Sequence, residues 1–172
     1  MIDYNSKTIY IGQTKNPTET KKIGYYLGQL IDEKLKDIST NIIILLEGQV
    51  GSGKTIFAKG IAKQLQVRTN VISPTFCLSK TYQGRNKKIH HWDLYRVLSL
   101  EKDTIKNNDI FSLIEELSED VSDKDIVLIE VTRKSTVFIT NWNFYVHIEM
   151  LNYKKRNIII KQNSIMHNKT KS

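Results

Sequence analysis

The stretch from Ile42 to Leu65 constrains the fold more than any other part of the chain. It opens on an unbroken apolar run, Ile42-Ile-Ile-Leu-Leu46, the mark of a strand buried on both faces. Gly48, Gly53, Lys54 and Thr55 then fill the pattern G-x-x-x-x-G-K-[ST]. Beyond the loop, Ile56, Phe57, Gly60, Ile61 and Leu65 recur at helical spacing, with Lys59 and Lys63 between them. Strand, loop and helix in this order predict a cradle for a nucleoside triphosphate, ATP or GTP. The glycines let the backbone turn its N–H groups inward, and the helix behind directs its positive end at the same point. Gly48, Val50, Gly51, Ser52 and Gly53 would lend the loop, with Ile56 just inside the helix. Lys54 would reach the β- and γ-phosphates, and the hydroxyl of Thr55 would ligate magnesium.

The rest of the chain supplies elements to surround that unit. Lys7-Thr-Ile-Tyr-Ile11 reads as a short edge strand. Pro17-Thr-Glu-Thr20 reads as a helix start with a hydroxyl cap and an early acid, and Ile23, Tyr26, Leu27, Leu30 and Ile31 share one face. Pro74 denies helix to the Ser73-Pro-Thr-Phe76 segment. Phe76 to Tyr82 and Lys88 to Trp92 flank Gln83-Gly-Arg-Asn86, a hairpin turn. Asp93 closes the second of these strands; it could hold magnesium or its waters, cap a helix, or pair with Arg96. Two amphipathic segments divided near Lys106-Asn-Asn-Asp109 run from Ser99 to Leu117. Asp125-Ile-Val-Leu-Ile-Glu130 is a second buried strand ending in an acid, the partner a phosphate loop needs beside its metal or attacking water. Phe144 to Met150 and Arg156 to Ile160 alternate as two further strands, with His147 on an outward face.

Composition narrows the setting. At 172 residues the chain reads as one domain, and it has no apolar run near the roughly 18 residues of a membrane-spanning helix. One cysteine, Cys77, excludes an intrachain disulfide and fits a reducing, cytoplasmic setting. The formal charge of +8 is compatible with a polyanionic partner such as RNA, but the lysines are scattered, so charge alone does not make an RNA binder. His90 and His91 lack the cysteine and histidine company of a zinc site.

Four pieces together resemble the TsaE family, formerly YjeE: Glu47-Gly-Gln-Val-Gly-Ser-Gly-Lys-Thr55, Ser73-Pro-Thr-Phe76, His91-Trp-Asp-Leu-Tyr-Arg96 and Leu128-Ile-Glu130. The phosphate loop is common to many families, whereas the Ser-Pro-Thr-Phe and His-x-Asp-Leu-Tyr-Arg pair is far more specific. The resemblance runs from Thr18 to Ile160. It implies a single-domain α/β P-loop NTPase, placed over residues 1–162, with a central mostly parallel sheet, helices on both faces and antiparallel edge strands; the polar residues 163–172, which the resemblance does not cover, read as a tail expected to fray. It also implies ATP and magnesium as cofactors. The partners it implies are TsaD and TsaB, which place threonylcarbamoyl on tRNA; tRNA would be met through that complex, with no role for DNA or a membrane.

By position, Lys54 and Thr55 match the family's phosphate and magnesium residues, and Glu130 its magnesium-associated acid. Asp93 matches the acid of Asp-Leu-Tyr-Arg, and Thr75 a threonine in a switch-like segment that could sense the γ-phosphate. Thr20 matches a residue near the nucleotide's base, and Arg156 a basic residue near the same pocket. Two departures stand out. Val131 takes the place of the family's usual tryptophan after the acid, and Ser52 replaces alanine within the loop. No arginine is clearly placed as a finger, which predicts slow hydrolysis alone and faster hydrolysis in a complex. A small-molecule kinase, or another nucleotide-dependent regulatory protein using the same loop, is the alternative.

Overall fold

The computed structural model describes residues 6–36, 39–74, 77–95, 97, 107–133 and 135–163. Within them lies a seven-stranded sheet in the order β1-β7-β6-β2-β5-β4-β3. The strands are β1 (Ser6–Thr14), β2 (Ile42–Glu47), β3 (Ser79–Gln83), β4 (Lys88–Asp93), β5 (Ile126–Val131), β6 (Phe144–Met150) and β7 (Arg156–Asn163). The described helices are α1 (Pro17–Lys34), α2 (Lys54–Gln64) and α3 (Asn107–Ser118).

β2 sits at the centre because its apolar run can be buried on both faces. It pairs in parallel with β5 on one side and β6 on the other, and β5 pairs in parallel with β4. The outer pairs, β1–β7, β6–β7 and β3–β4, are antiparallel, so the mostly parallel centre and antiparallel edges follow the expectation. Alternate residues of the central strands feed two cores. Ile42, Ile44 and Leu46 join Ile126, Leu128, Phe144 and Val146 under α1 and α2. Leu45 joins Val127, Ile129, Val131 and Tyr145 on the other face, where α3 lays Leu113, Ile114 and Leu117 against them. Val131 is fully buried there beside Trp92 and Trp142. In this chain the position after the strand acid therefore fills a core on the face opposite the phosphate loop.

α1 and α2 approach so closely that side chains are excluded at their crossing. A Cβ on Gly60 would lie 2.1 Å from the Lys21 carbonyl oxygen, and one on Gly24 would lie 2.1 Å from that of Phe57. The cap of α1 differs from the expected hydroxyl. Asn16 is the N-cap, its side chain accepting from the Glu19 N–H at 2.9 Å, while Glu19 accepts from the Lys15 N–H at 2.7 Å. Tyr26, expected on the buried face, is half exposed, because Gly24 and Gly28 occupy the contact with α2.

The hairpin β3–β4 forms about the expected turn. The Tyr82 hydroxyl donates to the Ile72 carbonyl at 2.9 Å, tying the segment before Ser73-Pro74 to that hairpin. β7 extends through Asn163, whose N–H donates to the Asn143 carbonyl at 2.9 Å. The first of the two amphipathic segments, Thr75 and Phe76, and the tail beyond Asn163 lie outside the described residues. His147, expected to sit on an outward face, is half-buried and bonded through Nδ1 to Glu47 at 2.9 Å.

Candidate nucleotide site

The loop between β2 and α2 takes the conformation its glycines permit. Gly51 and Gly53 have φ of +79° and +111°, the left-handed region that a side chain disfavours. Gly53 then caps α2, so the first N–H groups of that helix face the loop. Val50 is exposed at the loop's tip, while Ser52 is fully buried and its hydroxyl has no hydrogen-bond partner among the described residues.

Lys54, the first residue of α2, is buried and held by three groups. Its Nζ donates to the Gly48 carbonyl at 2.7 Å and the Gln49 carbonyl at 3.3 Å, and lies 3.4 Å from Glu130 Oε2. The Tyr95 ring lies 4.8 Å from the same ammonium, a cation–π contact. Glu130 is buried in β5, and its other oxygen accepts from His91 Nε2 at 3.0 Å. A carboxylate only accepts, so His91 Nε2 carries a proton in this contact; Nδ1 is buried with no partner among the described residues. Burial alone would raise the Glu130 pKa. The His91 hydrogen bond, the His91 charge and the Lys54 ammonium outweigh it, and the carboxyl is held below the usual carboxylate range.

Asp93, the last residue of β4, is buried and stands directly across from Glu130 in the parallel ladder. Thr55 and Ile56 follow Lys54 on α2. On the loop's other flank, Arg156 at the start of β7 donates from Nε to the Ser52 carbonyl at 2.7 Å and from an Nη to that of Gly51 at 3.3 Å. Thr20 is buried at the start of α1, its hydroxyl 2.9 Å from that of Thr14. A Cβ on Gly53 would meet the Thr20 methyl at 3.7 Å and Arg156 Nε at 4.0 Å, so all three converge on the loop.

The structure thus gathers Gly48, Val50, Gly51, Ser52, Gly53, Lys54, Thr55, Ile56, Thr20, Arg156, Glu130 and Asp93 around one bend, while Thr75 lies outside the described residues. Two members of this cluster were missed as site residues in the sequence: His91, which orients Glu130, and Tyr95, which stacks on Lys54. Both lie within His91-Trp-Asp-Leu-Tyr-Arg96, so the motif itself was the signal.

A central parallel strand, a glycine-rich loop over a helix N-terminus, and an acid from the neighbouring strand facing the loop lysine define an α/β protein of phosphate-loop architecture. The family described as threonylcarbamoyl adenosine biosynthesis protein TsaE matches residues 14–158. The tRNA threonylcarbamoyladenosine biosynthesis protein TsaE of Rickettsia felis is 36% identical over 151 residues, covering 87% of this chain and 78% of that protein. That of Rickettsia conorii is 35% identical over 140 residues, covering 80% of this chain and 70% of that protein. The crystal structure of Bacillus subtilis YdiB superposes with a TM-score of 0.61 at 20% identity, covering 94% of this chain and 89% of that one, a likeness of fold. The chain belongs to the TsaE family of tRNA threonylcarbamoyladenosine biosynthesis.

Proposed function

We propose that this chain is a magnesium-dependent ATPase of the cytoplasm that drives turnover of the TsaD–TsaB threonylcarbamoyl transfer complex, meeting tRNA through that complex. The observation that supports this reading best is the Lys54 ammonium, shared between the loop carbonyls of Gly48 and Gln49 and the carboxylate of Glu130. An ammonium at the mouth of such a loop exchanges these neutral carbonyls for phosphate oxygens when a nucleotide enters.

Magnesium would be held by the Thr55 hydroxyl together with Glu130 and Asp93, and when bound it would screen the charge on the phosphates. The chain's own groups do the rest. The loop N–H groups and Lys54 bind the phosphates. His91 holds Glu130 in place, and the low pKa of Glu130 keeps it an ionised acceptor that orients water. Arg156 spends its guanidinium on the loop carbonyls of Ser52 and Gly51, which fits slow hydrolysis alone and faster hydrolysis in the complex.

The test measures ATP binding and phosphate release by the purified chain, alone and with TsaD, TsaB and tRNA. Lys54→Ala is expected to lose ATP binding. Glu130→Gln is expected to bind ATP but lose turnover by about 10²–10⁴-fold. Unchanged hydrolysis in Glu130→Gln would remove that residue from the mechanism, and tRNA modification that cycles equally well without this chain would refute the reading.

A further inference from the structure

The sheet face opposite the phosphate loop carries a second cluster of charged groups that the proposed hydrolysis does not use. A cleft of about 430 Å³ opens there, lined by Glu47, Arg133, Thr136, Tyr145, His147, Ile159 and Lys161. Its floor is built rather than accidental. Glu47, at the end of β2, is buried and accepts hydrogen bonds from the Tyr145 hydroxyl and from His147 Nδ1. With Nδ1 committed to Glu47, the imidazole's Nε2 is its remaining donor. Arg133 lies close enough for its charge to act on Glu47, Tyr145 and His147 alike.

We propose that this cleft is a second anion site, taking a phosphate dianion, free or as a phosphate ester, on Arg133, Lys161 and His147. The charge count carries the choice of ligand. Among the lining residues, protonated His147 and ionised Glu47 cancel and Arg133 and Lys161 leave two positive charges, while Glu149 of β6, whose charge acts on His147, lies outside the lining. A dianion matches that balance, and the guanidinium fork favours the oxygens of phosphate. The hydrogen bond to Glu47 acts first in raising the His147 pKa, and Glu47 and Glu149 add their charges against the opposing effects of burial and Arg133. The contact with Glu47 thereby favours the protonated imidazole, in which Nε2 is a donor. Thr136 adds a hydroxyl to the lining, and Ile159 an apolar wall against which the organic part of an ester can rest. Glu47 is the residue immediately before Gly48, so an occupant here lies one strand residue from the loop that holds Lys54.

The experiment follows the His147 ring signals by NMR in the full chain while inorganic phosphate, ribose 5-phosphate or acetate is titrated in. Lys54→Ala serves as the parallel background, since it disables the phosphate loop and leaves this cleft intact. Saturable shifts of His147 with phosphate, kept in Lys54→Ala and weakened about tenfold or more in Arg133→Gln/Lys161→Gln, are expected. Tighter binding of ribose 5-phosphate than of phosphate would identify an ester as the occupant; equal binding would identify the free ion. Shifts that do not saturate, that acetate reproduces at the same concentration, or that survive the double variant overturn the site. If the double variant fails to fold, Arg133→Gln alone decides, because Arg133 is exposed. Loss of ATP binding by the native chain would strike the proposed ATPase and leave this result untouched.

Discussion

Glu47 is the last residue of β2 and Glu130 the last but one of the neighbouring parallel strand β5, and they serve opposite faces of the sheet. Glu130 stands across from Leu46, and Glu47 across from Val131, so a one-residue offset turns one carboxylate toward Lys54 and the other toward His147. The Glu47–His147 pair makes stability depend on pH in a defined direction. Burial pushes Glu47 up, but the hydrogen bonds from His147 and Tyr145 and the charges of His147 and Arg133 win and hold it low. A lowered carboxylate contributes stability above its unfolded value of about 4.3 and loses it as pH falls through the folded value. The raised His147 contributes fully below about 6.5 and loses its contribution as pH rises through the folded value. The pair therefore stabilises most between the two unfolded values, about pH 4.3 to 6.5. The groups facing it are Tyr145 and Glu149 of β6, Arg133 after β5 and Lys161 of β7; burial, then Glu47, pushes the Tyr145 phenol well up, so it stays protonated throughout. Denaturant melts of His147→Gln across a pH series are expected to show their largest deficit from the native chain near pH 6, about the unfolded histidine value. The deficit should shrink as the solution becomes alkaline; one that grows with pH would contradict the pairing.

At the scale of elements, the contact between α1 and α2 is the tightest constraint behind the loop. The backbone of α2 can approach α1 only because Gly60 presents no Cβ to the Lys21 carbonyl. Gly60→Ala gains helix propensity, but by less than the roughly 1–3 kcal/mol cost of overpacking, so it is expected to lower the thermal midpoint. Calorimetry checks this, and a raised midpoint would show that the helices can part without loss. Elements such as β2 and β5 were legible in the sequence because their signal is local: six-residue runs dense in Ile, Leu and Val need no knowledge of neighbours to read as buried strands. The same locality let the sequence place Lys54, Thr55 and Glu130 just beyond or at the ends of those runs. The α1 cap departs from the expected hydroxyl because Asn16, a strong capping residue one position before Pro17-Thr-Glu-Thr20, takes that role. The partners of His91 and Tyr95, and the Glu47–Tyr145–His147 cluster, were not legible, since they are set by β4–β5 and β2–β6 pairing, and one chain's letters do not carry register between distant strands.

For the molecule as a whole, the candidate site is a junction of elements from both ends of the chain. α1 brings Thr20, β2 and α2 the loop, β4 His91 and Asp93, β5 Glu130, and β7 Arg156. A ligand at such a junction binds the folded state and not the unfolded chain, so it raises global stability by mass action. At a free concentration one hundred times its dissociation constant the gain is about 2.7 kcal/mol. For a chain of this length that corresponds to a rise of about 5–10 °C in the unfolding midpoint. ATP with magnesium is therefore expected to raise the midpoint by that amount. Chelating the magnesium should remove much of the rise, because Thr55, Glu130 and Asp93 would then face the phosphates without the intervening charge. Lys54→Ala should show almost no rise, whereas Glu130→Gln should keep it while failing to release phosphate. Scanning calorimetry over a nucleotide series separates these cases. A midpoint in the native chain that is indifferent to ATP and magnesium would mean that no triphosphate lies in the bend between β2 and α2.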